Sequence, residues 1–162
     1  MKRIPDEYLR SSLFGFEDAL VSTTGMVVGI STGTTNLKFI LLAAFVTVTV
    51  EAVSMAAGEF LSDKAVHELD KDDKKDNTFI SAIVMFFSYA IGGMIPVTPI
   101  IFLPHLQGIV SSIIAAFLGL FILGYVKGKI VKVNQLKSAL EMLVVGGIAA
   151  VIGVGVGLIL KI

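Results

Sequence analysis

The stretch that decides the fold runs from Leu37 to Ser62 and reads LKFILLAAFVTVTVEAVSMAAGEFLS. After Lys38 it holds only two charged residues, Glu51 and Glu59. A helix needs roughly 20 mostly apolar residues to cross the hydrocarbon core of a bilayer. This stretch meets that length and exceeds it. Its polar end, beyond Glu59, is expected to project into water.

The rest of the chain repeats the pattern. Of the 162 residues 55% are hydrophobic and only 16% charged, and mean hydropathy is +0.89, too little polar surface for a soluble domain of this size. The charges are clumped, and Phe79 to Gln107 holds no Asp, Glu, Lys or Arg. The expected fold is all-α, a single polytopic membrane domain with five transmembrane helices over about 14–33, 37–62, 78–95, 106–126 and 139–160. Thr34-Thr35-Asn36 reads as a tight turn, and Pro96, Pro99 and Pro104 mark a loop after the third span. Asp63–Asn77 reads as a short charged cytoplasmic loop, and Lys127–Lys137 as a basic linker. The polar Met1–Ser12 segment leads into an apolar run without a cleavage pattern, so no removable signal peptide is expected.

Net charge is zero, which gives no reason to expect a nucleic-acid partner, and there is no cysteine for a disulfide or thiolate site. One set of span ends carries 11 lysines and arginines and the opposite set carries 2, Lys38 and Lys161. The positive-inside rule then places the N-terminus in the cytoplasm and the C-terminus outside it, in the cell membrane if the source is prokaryotic. Gly25, Gly29 and Gly33 repeat every fourth residue, as do Gly124 with Gly128 and Gly153 with Gly157. Small residues at this spacing let helices approach closely in lipid. Packing within the chain is the expectation for the fourth and fifth spans. For the first, a second copy of the chain is an equal candidate.

The chemistry lies in the intramembrane acids. A charged carboxylate at the bilayer centre costs roughly 2.5–3.5 kcal/mol on insertion scales, so such groups face a cavity, a partner or an ion. Glu51, Met55 and Glu59 share one helix stripe, and Asp18, Ser22, Gly25, Met26 and Gly29 share another. Facing stripes would form a polar seam of carboxylate, hydroxyl and thioether groups. No lysine or arginine lies inside the expected spans to neutralise Asp18, Glu51 or Glu59, whereas Glu17 and Glu141 sit near span ends and read as interfacial. Hard carboxylate oxygens with a thioether suit a divalent transition metal, Fe²⁺ before Mn²⁺ or Co²⁺. A lone intramembrane methionine is more often a packing residue, and the place of Met26 and Met55 beside carboxylates on both helices raises the ligand case. Metal and protons compete for buried carboxylates, which is the minimum needed for exchange. His67 and Glu68 are candidates for collecting metal on the cytoplasmic side, against the plainer reading of a solvated turn, and His105 reads as structural. No enzyme is expected: His67-Glu68 lacks the second histidine of a zinc-protease motif, and Gly29–Gly33 lacks the lysine of a phosphate loop.

Glu17-Asp18-Ala19-Leu20-Val21-Ser22-Thr23 resembles the opening of the vacuolar iron transporter (VIT/CCC) family, and Glu51–Ser62 is very similar to its second-helix signature. Phe87-Ser88, Gly92-Gly93, Ile95-Pro96, Pro99, Gly124–Gly128 and Ala139–Met142 look like its later helices. The resemblance implies a five-helix homodimer that exports Fe²⁺ or Mn²⁺ from the cytoplasm in exchange for protons. Its path would lie at the dimer interface, lined by the first two helices of each chain. Asp18, Glu51, Met55 and Glu59 would be the metal positions, with Ser22 and Met26 lining the path. No cofactor is expected, since the ion is cargo. The chain departs from the family in having only Asp63–Asn77 where a long Glu- and Met-rich insertion often follows the second helix, so it reads as a short form. It also has Ala19 where the family carries glycine. The rival readings are a passive metal channel, a metal-binding membrane sensor, or a scaffold whose acids pair with a partner's lysines.

Overall fold

The computed structural model describes residues 5–70 and 77–160. Five helices account for nearly all of them: α1 (Asp6–Gly33), α2 (Leu37–Asp70), α3 (Thr78–Phe102), α4 (His105–Val131) and α5 (Gln135–Ile159). All five are long and apolar enough to cross a membrane. The chain is an all-α, multi-pass integral membrane protein. Lys2, Arg3, Lys71, Asp72, Asp73, Lys74, Lys75, Asp76 and Lys161 lie outside the described residues.

Three asparagines fix helix starts where apolar pattern alone could not. The Asn36 side chain accepts from Phe39 N, Asn77 from Phe79 N, and Asn134 from Lys137 N, each satisfying a backbone donor that a helix start leaves orphaned. Lys132 ends α4 in the left-handed conformation, with φ 60°.

Several helix limits differ from the sequence expectation. α1 begins eight residues earlier than expected, at Asp6, so Arg10 and Ser11 belong to it. α2 continues to Asp70, a rod of about 50 Å at 1.5 Å per residue. His67 and Glu68 therefore stand on a helix and not in a loop. α3 runs through Pro96 and Pro99 and stops only at Phe102. A proline inside a membrane helix removes a backbone donor without necessarily ending the helix. Ser112 Oγ on α4 donates to the Pro96 carbonyl at 2.6 Å and ties this segment of α3 to α4. Pro104 does mark a turn, as the N-cap of α4.

α1 and α3 form the centre of the bundle. Half of each one's most apolar window is buried, against 22% for α2, α4 and α5, whose outer faces are left for lipid. Although a three-residue turn joins α1 to α2, α2 packs mainly on α3, and α1 packs mainly on α3 and α5. The glycines explain this arrangement. A Cβ on Gly29 would lie 2.7 Å from the Gly153 carbonyl oxygen, so only glycine allows the two backbones to meet there. The Gly25–Gly29–Gly33 stripe is thus used within the chain, against α5. Gly124 and Gly128 are likewise used within the chain, by α4 against α5.

The candidate metal path

α3 packs on both α1 and α2 and supplies Tyr89, which is fully buried near the midpoint of a helix with no charged residue. The Tyr89 hydroxyl donates to Glu51 Oε2. A phenol has one proton to give, so Ser22 Oγ, 2.7 Å away, donates to the Tyr89 oxygen in turn. Ser22, Tyr89 and Glu51 thus form a chain across α1, α3 and α2. Asp18 lies one turn before Ser22 on α1, half-buried, within electrostatic reach of Glu51 and of Glu17. Met55 packs on the Ala19, Ala52 and Tyr89 cluster, directly beside this chain. Sequence reasoning missed Tyr89. The available signal was its position, since tyrosines of membrane helices concentrate at the interfaces and not mid-span.

Glu59 lies two turns farther along α2, in a different environment. Its Oε1 accepts from Arg10 Nη2 at 3.0 Å and from Ser11 Oγ at 2.5 Å, while the same Arg10 nitrogen reaches Asp63 Oδ1 at 2.9 Å. The expectation that Glu59 has no cationic partner is therefore corrected. It arose from starting the first span at Phe14, which left Arg10 outside. The four expected metal positions form two layers, Asp18, Glu51 and Met55 in one and Glu59 in the other.

The remaining candidates are placed as follows. Met26 packs on the Val27, Ile40 and Ala44 cluster, and with Ser22 it lines a groove of about 610 Å³ between α1 and α5. His67 Nδ1 donates to the Asp63 carbonyl at 2.7 Å, and Glu68 is exposed with Lys64 3.8 Å away. Glu141 is exposed near the start of α5. Among the described residues, no three His, Asp or Glu side chains converge on one point. Neither Asp18 nor Glu51 has a lysine or arginine within ion-pairing distance among them.

Five membrane-spanning helices that carry acids without a lysine or arginine partner among the described residues are the kind of setting that intramembrane ion pathways use. The VIT family model matches residues 9–77 and 64–158, and the chain belongs to that family. It is 26% identical to vacuolar iron transporter homolog 3 of Arabidopsis thaliana, covering 92% of this chain and 81% of the relative. It is 36% identical to vacuolar iron transporter 1 of the same plant over 51% of this chain and 33% of the relative. The corresponding figures for vacuolar iron transporter 1 of Eucalyptus grandis are 34%, 54% and 35%.

Proposed function

We propose that the chain is a proton-coupled exporter of a divalent transition metal, Fe²⁺ or Mn²⁺, acting as a homodimer. The observation that carries this reading is the pair Asp18 and Glu51. Two carboxylates lie in membrane-spanning helices within electrostatic reach of each other, with no lysine or arginine to balance them among the described residues. Such a pair is stable only with a bound cation or protons, and each displaces the other. Glu51, held by Tyr89, and Asp18 would bind metal and protons. Met55 would favour a softer transition metal over Mg²⁺ or Ca²⁺. The names of the iron-transporting relatives support the same cargo.

One copy offers too few acids at this level to enclose an ion, which favours a second copy facing it. The outward side of α2 suits that contact. Ser54, Gly58 and Ser62 are exposed at four-residue spacing, and a Cβ on Gly58 would meet nothing within 4 Å. Unlike the α1 glycines, this one is not used within the chain. Arg10, Lys64, Lys127, Lys129, Lys132 and Lys137, all at the same ends of the helices, support a cytoplasmic N-terminus.

The test is transport in proteoliposomes carrying a pH-sensitive dye, with Fe²⁺ or Mn²⁺ on one side. Metal entry should be accompanied by proton counterflow, and a proton gradient should drive metal uphill. Asp18→Asn and Glu51→Gln should each reduce both fluxes to background. Metal flux that dissipates its gradient but is never driven by protons would make the protein a passive channel and sink the proposal.

A further inference from the structure

Among the described residues the Arg10 cluster contains a charge imbalance. Arg10 supplies one positive charge to two carboxylates, Glu59 and Asp63, whose side chains are only 9% and 8% exposed. Asp63 Oδ2 is buried without a hydrogen-bond partner among the described residues. A buried carboxylate oxygen left unpaired costs more than an unpaired neutral group, and a net negative cluster there calls for further cation. A cavity of about 340 Å³ opens beside it, lined by Arg10, Ser11, Glu59 and Ser62 together with Met85. The arginine is 61% exposed, so its guanidinium can swing into water on a flexible stem, whereas the acids cannot leave.

We propose that Glu59, Asp63 and Ser11 form a second divalent-cation site at the N-terminal end of α1, and that Arg10 is its tethered competitor. An arriving M²⁺ would replace the guanidinium on Glu59 Oε1 and Asp63 Oδ1, beside the cavity that the Met85 side chain also lines. Two positive charges in place of one balance the pair. With the metal gone, Arg10 returns and keeps the acids from being left bare. The arginine thus sets a threshold, since a monovalent ion gains too little from two carboxylates to displace a guanidinium held by both. Only the choice of a transition metal as the cation rests on the transport reading. The competition itself does not.

The test uses the purified full-length chain in detergent with Mn²⁺ as probe, bound metal being read from loss of the free ion's electron paramagnetic signal. Arg10→Gln should bind Mn²⁺ about tenfold tighter than the parent at this site, and adding Glu59→Gln and Asp63→Asn should remove that gain. Arg10→Lys should show a smaller gain, because an ammonium cannot bridge the two acids as a guanidinium does. No tightening in Arg10→Gln, or a gain that survives loss of both acids, overturns the proposal. Should Arg10→Gln not fold, Glu59→Gln/Asp63→Asn with Arg10 retained should weaken Mn²⁺ binding, and unchanged binding overturns it equally. The two readings fail separately. A gain in Arg10→Gln without transport by the parent chain refutes the transporter, whereas proton-driven transport without that gain refutes the second site alone.

Discussion

Tyr89→Phe removes one oxygen atom and tests the central chain of hydrogen bonds. Tyr89 is fully buried, so the change removes the donor at Glu51 without opening new surface around the ring. Ser22 loses its acceptor at the same time. A hydrogen bond to a charged group contributes about 1.5–3 kcal/mol, and the ring remains to fill nearly the same volume. The variant should therefore lose about 1.5–3 kcal/mol in reversible unfolding from mixed detergent–lipid micelles. Glu51→Gln should behave differently. Its amide oxygen still accepts from Tyr89 while a charge leaves the membrane interior, so its stability should be unchanged or higher even though transport is lost. In a double-mutant cycle the two positions should couple by at least about 1 kcal/mol, the difference between a charged and a neutral acceptor. In transport, a misplaced Glu51 should slow metal flux by about tenfold or more, a factor of ten being about 1.4 kcal/mol. A Tyr89→Phe protein within about 0.5 kcal/mol of the parent, with no coupling to Glu51, would refute the link between α3 and the acid.

Gly29→Ala should destabilise the bundle by about 1–3 kcal/mol, because its Cβ meets the Gly153 backbone, which cannot yield as a side chain would. Gly58→Leu should leave the fold of one chain intact, since the space there is open, yet shift the protein from dimer to monomer in multi-angle light scattering. An unshifted mass would show that α2 does not form the contact between copies. Lys132→Gly should raise unfolding stability by up to about 1 kcal/mol by relieving a left-handed non-glycine residue. Asn134→Ala should lower it by about 1 kcal/mol through loss of the α5 cap, read in the same unfolding assay.

The five spans were legible because the bilayer imposes a length on apolar runs that no packing detail can change. Leu37–Ser62 carries that signal alone. The limits were less legible, since α1 and α2 extend beyond the hydrocarbon, where hydropathy no longer constrains them. Pro96 and Pro99 read as a loop because the cost of an interior proline is local, while the packing that holds α3 helical through them, including the Ser112 bond to the Pro96 carbonyl, comes from other helices. The Arg10–Glu59 pair was within reach of sequence reasoning. In an antiparallel hairpin turning at Thr35, Arg10 lies 25 residues before the turn and Glu59 lies 24 after it, just as Asp18 and Glu51 lie 17 before and 16 after. Helices of equal rise bring such positions level.

By itself the sequence determined that this protein lies in a membrane, how many times it crosses, and that its first two helices carry the acids Asp18, Glu51 and Glu59. Those follow from composition and spacing along single helices. Only the tertiary structure decided how the acids are distributed. The α1 glycine stripe met α5, α3 packed on both α1 and α2, and the acids separated into a layer held by Tyr89 and a layer held by Arg10. The physical reason is that helices in lipid are sorted by how closely their surfaces fit. That is a property of two faces together, and no single segment contains it.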